Sequence, residues 1–204
     1  MNIGMRYWLE QAGAWGASRE HCAEVYQSLM SAYCSKSRHY HDLTHIEQML
    51  EVATEVDCQI EDKTAFYFAI WFHDAVQKIG RDSEALSAEF AAKQLSKLHV
   101  PEDFVNKVQE LILATKHGEH LNLSGDLALL VDIDLSILGS KPEHYFRYAN
   151  NCRKEYKIPN AIYRSGRKSF LKGFLSQTHI FYTEVFRKLF EQQARQNLQW
   201  ELNQ

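Results

Sequence analysis

The chain has 204 residues, with 26 acidic and 23 basic side chains and a formal net charge of -3 at pH 7. That length is enough to bury a sizeable core, and the small excess of acid argues against a general nucleic-acid coat while permitting a local basic pocket. No apolar run approaches the roughly 18 residues that cross a bilayer, and residues 1–9 lack a signal-peptide pattern. We therefore expect a cytoplasmic protein without membrane contact.

The numbers and positions of the prolines and cysteines limit the possible domain organisation and metal or disulfide sites. The chain has three prolines and no linker rich in proline, serine or glycine, so we expect a single domain over residues 1–204. The four cysteines form no C-x-x-C pair, and the sequence predicts neither a thiolate zinc site nor a disulfide framework. Thiols in a reducing compartment are the expected state.

Helical spacing is clear in the first part of the chain. Ser18 is a candidate N-cap, and the apolar residues between positions 22 and 33 follow one helical face. Thr44 and Glu47 have the form of a capping box, which predicts a helix with His45 on its inward face.

The most apolar stretch runs from Ala65 to Phe72, follows Asp62 and ends in His73-Asp74. Its apolar residues fall on every side of a 3.6-residue period, which predicts a central, buried helix. A carboxylate at the inner end of such a helix is costly unless it is paired or bound to a metal. His73 and Asp74 are therefore candidate functional residues.

Helical patterns continue to the end of the chain. Ser83 is a candidate cap for the next helix, and Pro101 suits the first turn of the one after it. A strongly apolar helix from Asp126 to Leu138 carries two acids, Asp132 and Asp134. Further helical segments begin near Pro142, after Pro159 and near Thr183. Since no sustained period-two pattern occurs, the sequence predicts an all-α fold.

Polar residues on three apolar helices call for a common explanation: His45, the His73-Asp74 pair, and Asp132 or Asp134. Imidazole nitrogen and carboxylate oxygen are usual ligands of borderline divalent ions. Each residue taken alone also suits a hydrogen-bonded core histidine or a helix-capping acid. Taken together, they favour a metal site.

This order of residues resembles the H…HD…D signature of the HD superfamily of metal-dependent phosphohydrolases. The match covers about residues 39–138 and implies an HD-type helical bundle, with residues 140–204 as a C-terminal helical extension. Within that extension, Tyr163-Arg164-Ser165-Gly166-Arg167 resembles a segment of small bacterial members.

The resemblance implies that His45, His73 and Asp74 bind a divalent ion, which is Mn, Mg, Fe, Co or Zn. The fourth ligand is either Asp134, which matches the family's Asp-Leu pattern more directly, or Asp132, which has the better apolar lead-in. Two positions on a helix point about 200° apart, so we expect only one of them to bind the ion, with a slight preference for Asp134.

The implied reaction is hydrolysis of a small phosphorylated metabolite, with a nucleotide favoured, by a metal-activated water that attacks phosphorus. Asp74 and His41 are the candidate catalytic residues, the second with a turn or cap contact as its alternative. The candidate substrate contacts are Lys78, His117, Arg164 and Arg167, for which an exposed loop or a solvated helix face is the alternative.

Two other functions remain open at this point. A dinuclear iron oxygenase on an HD-type scaffold requires more histidine ligands, for which His117 and His120 are the candidates. A non-catalytic sensor that retains a metal or nucleotide is the third possibility, which the complete-looking ligand set disfavours.

Overall fold

The computed structural model describes residues 8, 12–13, 16–116 and 122–204. Within these residues every regular element is helical and no strand occurs, which confirms the predicted all-α fold. None of the described helices combines the length and hydropathy needed to cross a membrane. The chain divides into two compact units, residues 1–116 and residues 117–204. The single-domain interpretation stays a prediction.

The first unit contains five described α-helices. These are α1 (Arg19–Tyr33), α2 (Leu43–Glu55), α3 (Lys63–Phe72), α4 (Ser83–Leu95) and α5 (Glu102–Ala114). Short 3-10 turns follow α2 at Asp57–Gln59 and α4 at Ser96–Leu98. Helix α5 packs against both α3 and α4, while α2 contacts α3 from another side.

Helix α3 lies at the centre of the first unit, as its composition predicts. All eight residues from Ala65 to Phe72 are buried, so this part of the helix has no solvent face. The ring centre of Phe68 lies 5.5 Å from that of Phe104 on α5, and the ring centre of Phe72 lies 6.1 Å from that of Phe90 on α4. This burial places the end of α3, with its histidine and aspartate, inside the unit.

The helix starts confirm some predicted caps and correct others. The Ser18 side chain accepts the N–H of His21 and caps α1, as predicted. The predicted capping box at Thr44 and Glu47 is wrong, because Asp42 caps α2 and the helix begins at Leu43.

The predicted Ser83 cap is also wrong, since Asp82 caps α4 by accepting the N–H of Ala85. The Ser83 hydroxyl instead accepts the N–H of Lys78 in the preceding turn. Pro101 immediately precedes α5, where it occupies the N-cap position rather than the first turn.

The second unit contains four described α-helices. These are α6 (Gly125–Leu135), α7 (Pro142–Glu155), α8 (Asn160–Ser176) and α9 (Glu184–Leu202), with a 3-10 turn at Ser136–Gly139 between α6 and α7. Pro142 is the first residue of α7, and α9 begins directly after Thr183, both as predicted. The Thr183 side chain also caps α9 by accepting the N–H of Phe186. Helix α9 packs against α8 and against the 3-10 turn.

Gly139 allows the 3-10 turn to approach the backbone of α9 closely. A Cβ atom at position 139 would lie 2.5 Å from Cβ and 2.7 Å from the carbonyl oxygen of Phe190. Because real Cβ atoms do not approach other atoms so closely, only glycine fits at this crossing without movement of the helix.

Candidate metal centre

His45 is carried by the first turn of α2, where a neighbouring cap fixes its backbone. The Asp42 carboxylate accepts the N–H of Thr44 at 2.9 Å and that of His45 at 3.4 Å. A carboxylate at a helix N-terminus satisfies amide groups that have no partner within the helix. The His45 side chain is consequently directed from a fixed turn into the interior, where it is 3% exposed.

His73 follows the last residue of α3, and its ring is oriented by the helix that it ends. Its Nδ1 lies 3.0 Å from the carbonyl oxygen of Ile70. Because a carbonyl oxygen only accepts hydrogen bonds, Nδ1 carries the proton in this contact and Nε2 of the neutral ring presents a lone pair. A backbone carbonyl that holds the rear nitrogen in this way is the usual support for a metal-binding histidine.

Three potential ligand atoms come together in the first unit. His45 Nε2 lies 3.3 Å from His73 Nε2, while Asp74 Oδ2 lies 3.2 Å from His73 Nε2 and 3.7 Å from His45 Nε2. Ligand atoms about 2.1 Å from a shared ion are themselves about 3.0–3.5 Å apart. The two histidines and the aspartate could therefore hold a metal ion without large movements.

The charge and exposure of the group suit a cation that also meets solvent. The two histidine side chains are nearly inaccessible, whereas the Asp74 side chain is 21% exposed. Burial opposes ionisation of Asp74, but the adjacent imidazoles of His73, His41 and His45 hold the pKa of its carboxyl well below the usual range. Asp74 is thus a carboxylate at neutral pH, on the accessible side of the group.

Arg38 connects the segments that carry the three ligand candidates, a role that the sequence did not predict. Its guanidinium donates to the carbonyl oxygen of His41 at 2.9 Å, and to those of Asp74 and Ala75 at 2.8 and 3.1 Å. Its position in the Arg38-His39-Tyr40-His41 stretch is a weak signal, because the acceptors on the far side lie 36 and 37 residues away.

The two other candidate residues of the first unit differ in their surroundings. His41 is half-buried, and its Nδ1 lies 2.9 Å from the side-chain amide nitrogen of Gln77. Its ring centre lies 6.0 Å from that of His45. It therefore lies beside the ligand group, held by the segment that follows α3. Lys78 is exposed in the turn after that segment, and its ammonium forms no hydrogen bond or ion pair with the described residues.

The two candidates for a fourth ligand lie on α6 in the second unit. Asp132 is fully buried, and its two oxygens accept the backbone N–H groups of Tyr182 and Thr183, each at 2.7 Å. Burial raises the pKa of its carboxyl to about 6, against the effect of these hydrogen bonds and of the Arg187 charge. Asp132 thus has a structural role within its own unit. Asp134 is half-buried on the same helix, and its assignment as a ligand stays a prediction.

The predicted phosphate contacts in the second unit are of two kinds. Arg167 donates to both carboxylate oxygens of Glu201, at 2.8 and 3.0 Å, and to the Tyr148 hydroxyl at 3.1 Å, so it is already engaged in the fold. Arg164 is exposed one turn earlier on α8. The predicted contacts His117 and His120 lie outside the described residues.

Comparisons of the chain with models of known protein families, with curated proteins and with solved structures found no match.

Proposed function

We propose that this protein is a divalent-metal-dependent phosphohydrolase acting on a small phosphorylated metabolite, with a nucleotide as the favoured class. The observation that carries the proposal is the convergence of His45, His73 and Asp74, with three donor atoms no more than 3.7 Å apart. The HD-like order of these residues in the sequence adds independent support, because residue order does not depend on the geometry.

A catalytic ion is favoured over a purely structural one by the composition and exposure of this group. Structural zinc sites usually surround the ion with four protein ligands, most of them thiolates, whereas catalytic sites keep a position for water or substrate. Here none of the three donors is a thiolate, and the carboxylate is partly exposed. When bound, a divalent ion would offset phosphate charge and lower the pKa of a coordinated water.

The surrounding residues have separable roles in this proposal. The Ile70 carbonyl orients His73, the Asp42 cap fixes the turn that carries His45, and Arg38 holds the backbone at Asp74. Asp74 remains ionised and can accept a proton or hydrogen bond from the attacking water. His41, whose Nδ1 contacts the side-chain amide of Gln77, is proposed to contact that water or a phosphate oxygen.

The test is a turnover assay on the full chain after chelation. Mn²⁺, Mg²⁺, Co²⁺, Fe²⁺ and Zn²⁺ are added singly, and release of phosphate or pyrophosphate is measured with nucleotides and p-nitrophenyl phosphate. We expect hydrolysis that depends on the ion and that falls about 100-fold or more in His73→Ala and His45→Ala, together with lower bound metal. His144→Ala, at an exposed position on α7, is the matched control and should retain activity.

Three results would contradict the proposal. The first is absence of turnover with every ion and phosphoester, and the second is an unchanged rate in His73→Ala. The third is two tightly bound irons per chain with oxygen consumption, which would favour the oxygenase alternative.

A further inference from the structure

A separate cavity of about 390 Å³ lies within the second unit, between α7, α8 and α9. Its volume falls within the roughly 300–1,000 Å³ of small-molecule sites. Helix α8 supplies one complete face of it, at positions spaced three or four residues apart: Asn160, Tyr163, Arg164, Arg167, Lys168 and Leu171. That spacing puts all six side chains on one side of the helix, so the cavity is built by a continuous helical face.

The interior of this cavity is positively charged, although the whole chain is slightly acidic. Four cationic side chains line it, Arg153, Arg164, Arg167 and Lys168, against one acidic side chain, Glu201. Glu201 is the ion-pair partner of Arg167, at 2.8 Å. Three cationic side chains are therefore left without an acidic side chain as partner in the lining, and this excess of side-chain charge favours an anionic ligand.

The available hydrogen-bond donors belong to two of those cations. Arg153 directs its guanidinium to the carbonyl oxygens of Tyr156 and Ile158 and to the Asn160 side chain, so it holds the turn between α7 and α8. Arg164 and Lys168 are exposed, and their side chains make no hydrogen bond or ion pair with any residue in the described part of the chain. These two, one helical turn apart, can bind an anion without breaking an existing contact.

The opposite wall of the cavity is aromatic. The Trp200 ring packs on that of Phe146, with ring centres 3.9 Å apart, and both residues line the cavity. Trp200 nevertheless remains 44% exposed, which is unusual for so large an apolar side chain. An accessible indole beside two unpaired cations suits a ligand that combines a flat ring with an anionic group.

We propose that this cavity binds a mononucleotide or a closely similar ring-bearing phosphate, with the phosphate on Arg164 and Lys168 and the ring against Trp200. The inference goes beyond the proposed hydrolysis, because it concerns residues of the second unit alone and requires no metal. Arg167 and Glu201 form the inner wall of the site as a paired, neutral unit, and they position the α8 face rather than compete for the ligand.

The binding test separates this site from the metal centre. Full-length His73→Ala protein is treated with chelator and titrated calorimetrically with AMP, GMP, CMP and UMP, and with adenosine and inorganic phosphate as partial ligands. We expect saturable binding of at least one nucleotide that is tenfold or more tighter than that of either partial ligand. Because this protein lacks the His73 ligand and any bound metal, nucleotide binding is measured independently of whether the intact protein hydrolyses nucleotides.

Variants of the lining assign the binding to this cavity. We expect Arg164→Ala combined with Lys168→Ala to weaken nucleotide binding at least tenfold, and Trp200→Leu to weaken it at least fivefold without changing phosphate binding. Lys172→Ala removes an exposed cation from the same helix outside the cavity and should stay within twofold of the parent. Circular dichroism of each variant checks that the helices are retained.

Three outcomes would overturn the inference. These are no saturable nucleotide binding at millimolar concentration, equal affinity for inorganic phosphate and nucleotide, and binding that the Arg164 and Lys168 changes do not affect. Hydrolysis by the intact enzyme together with any of these would refute this site alone, whereas binding without hydrolysis would refute only the phosphohydrolase proposal.

Discussion

The carboxylate of Asp132 lies under the segment that leads into α9, where its two oxygens accept the N–H groups of Tyr182 and Thr183. Those amides precede the first turn of α9, and without Asp132 they would lack these partners. A buried carboxylate with both oxygens engaged in this way stabilises the fold of the second unit. Its contribution should therefore not depend on a bound ion.

We expect Asp132→Ala to lower the free energy of unfolding by about 2–4 kcal/mol, because it leaves two amides unpaired and removes buried atoms. The loss should be the same with and without Mn²⁺ in urea unfolding followed by circular dichroism. Asp134→Ala, two positions along the same helix, is the matched variant and, as the predicted fourth ligand, should weaken Mn²⁺ binding. If Asp132→Ala weakens Mn²⁺ binding and Asp134→Ala does not, the assignment of the two acids is reversed.

Single residues also show where sequence reasoning succeeds and where it stops. His45, His73 and Asp74 were identifiable because polar side chains among apolar ones are costly to bury and so stand out in a local pattern. The ion pair of Arg167 could not be identified from the sequence, because its partner Glu201 lies 34 residues later and meets it only through the packing of α8 on α9. Partners of that kind depend on helix packing, which periodicity does not specify.

At the scale of elements, the C-terminus of α3 is closely tied to its surroundings. The Ile70 carbonyl faces the His73 ring, and the Trp71 carbonyl accepts the Tyr33 hydroxyl at 2.9 Å. Carbonyls in the last turn of a helix have no partner within it, so these contacts satisfy groups that would otherwise be buried unpaired. The same contacts fix the direction in which the chain leaves the helix toward Asp74.

The start of α3 gives the chain a testable dependence on pH. Asp62 caps α3 by accepting the N–H of Ala65 at 3.0 Å. Burial opposes ionisation of this carboxyl, but the N–H of Ala65 and the ammonium of Lys107 lower its pKa. An unfolded aspartate titrates near pH 4, so a lowered folded-state pKa makes a contribution that is present above about pH 4 and is lost as pH falls through the folded value.

We therefore expect acidification below about pH 4 to reduce the stability of the parent more than that of Asp62→Asn, which keeps a capping side chain but has no charge. Solvent screening at this one-third exposed carboxylate limits the difference to about 1 kcal/mol or less. Urea unfolding of both proteins between pH 2.5 and 6 measures it. A difference that does not vary with pH would show that the charge of the cap contributes nothing.

The contact between the 3-10 turn and α9 predicts an asymmetry between two glycines. Gly139→Ala should lower the free energy of unfolding by about 1–3 kcal/mol, because its Cβ would overlap the Phe190 backbone. Gly166→Ala, in the middle of α8 with open space around the new Cβ, should be neutral or stabilising by up to about 1 kcal/mol. Equal effects in thermal unfolding would mean that the turn can move away from α9.

The capping positions illustrate a second limit on sequence reasoning. Asp42 and Asp82 cap helices where the patterns favoured Thr44 and Ser83. Each pair of candidates lies within two residues, and both members can accept an amide hydrogen bond. The choice depends on how the incoming segment approaches the helix, which in the case of Ser83 assigns the hydroxyl to Lys78 instead.

For the molecule as a whole, the helical class and most helix positions could be predicted, because burial of one face leaves a local record in the order of apolar residues. The division into residues 1–116 and residues 117–204 leaves no comparable record, since no change of composition marks it. The cavity of the second unit could not be predicted either, although the sequence singles out two of its cations, Arg164 and Arg167. Cavities depend on the distances between helices, and these follow from packing.

The pairing of Arg167 with Glu201 and Tyr148 has a consequence for how this chain can diversify. Removing one partner of a largely buried ion pair leaves an uncompensated charge, which costs up to several kcal/mol, so these positions tolerate little variation. The side chains of Arg164 and Lys168 form no such pair among the described residues, and exchanging them leaves the Arg167–Glu201 ion pair intact. Natural or laboratory selection can therefore alter ligand preference in this scaffold without first repairing its stability.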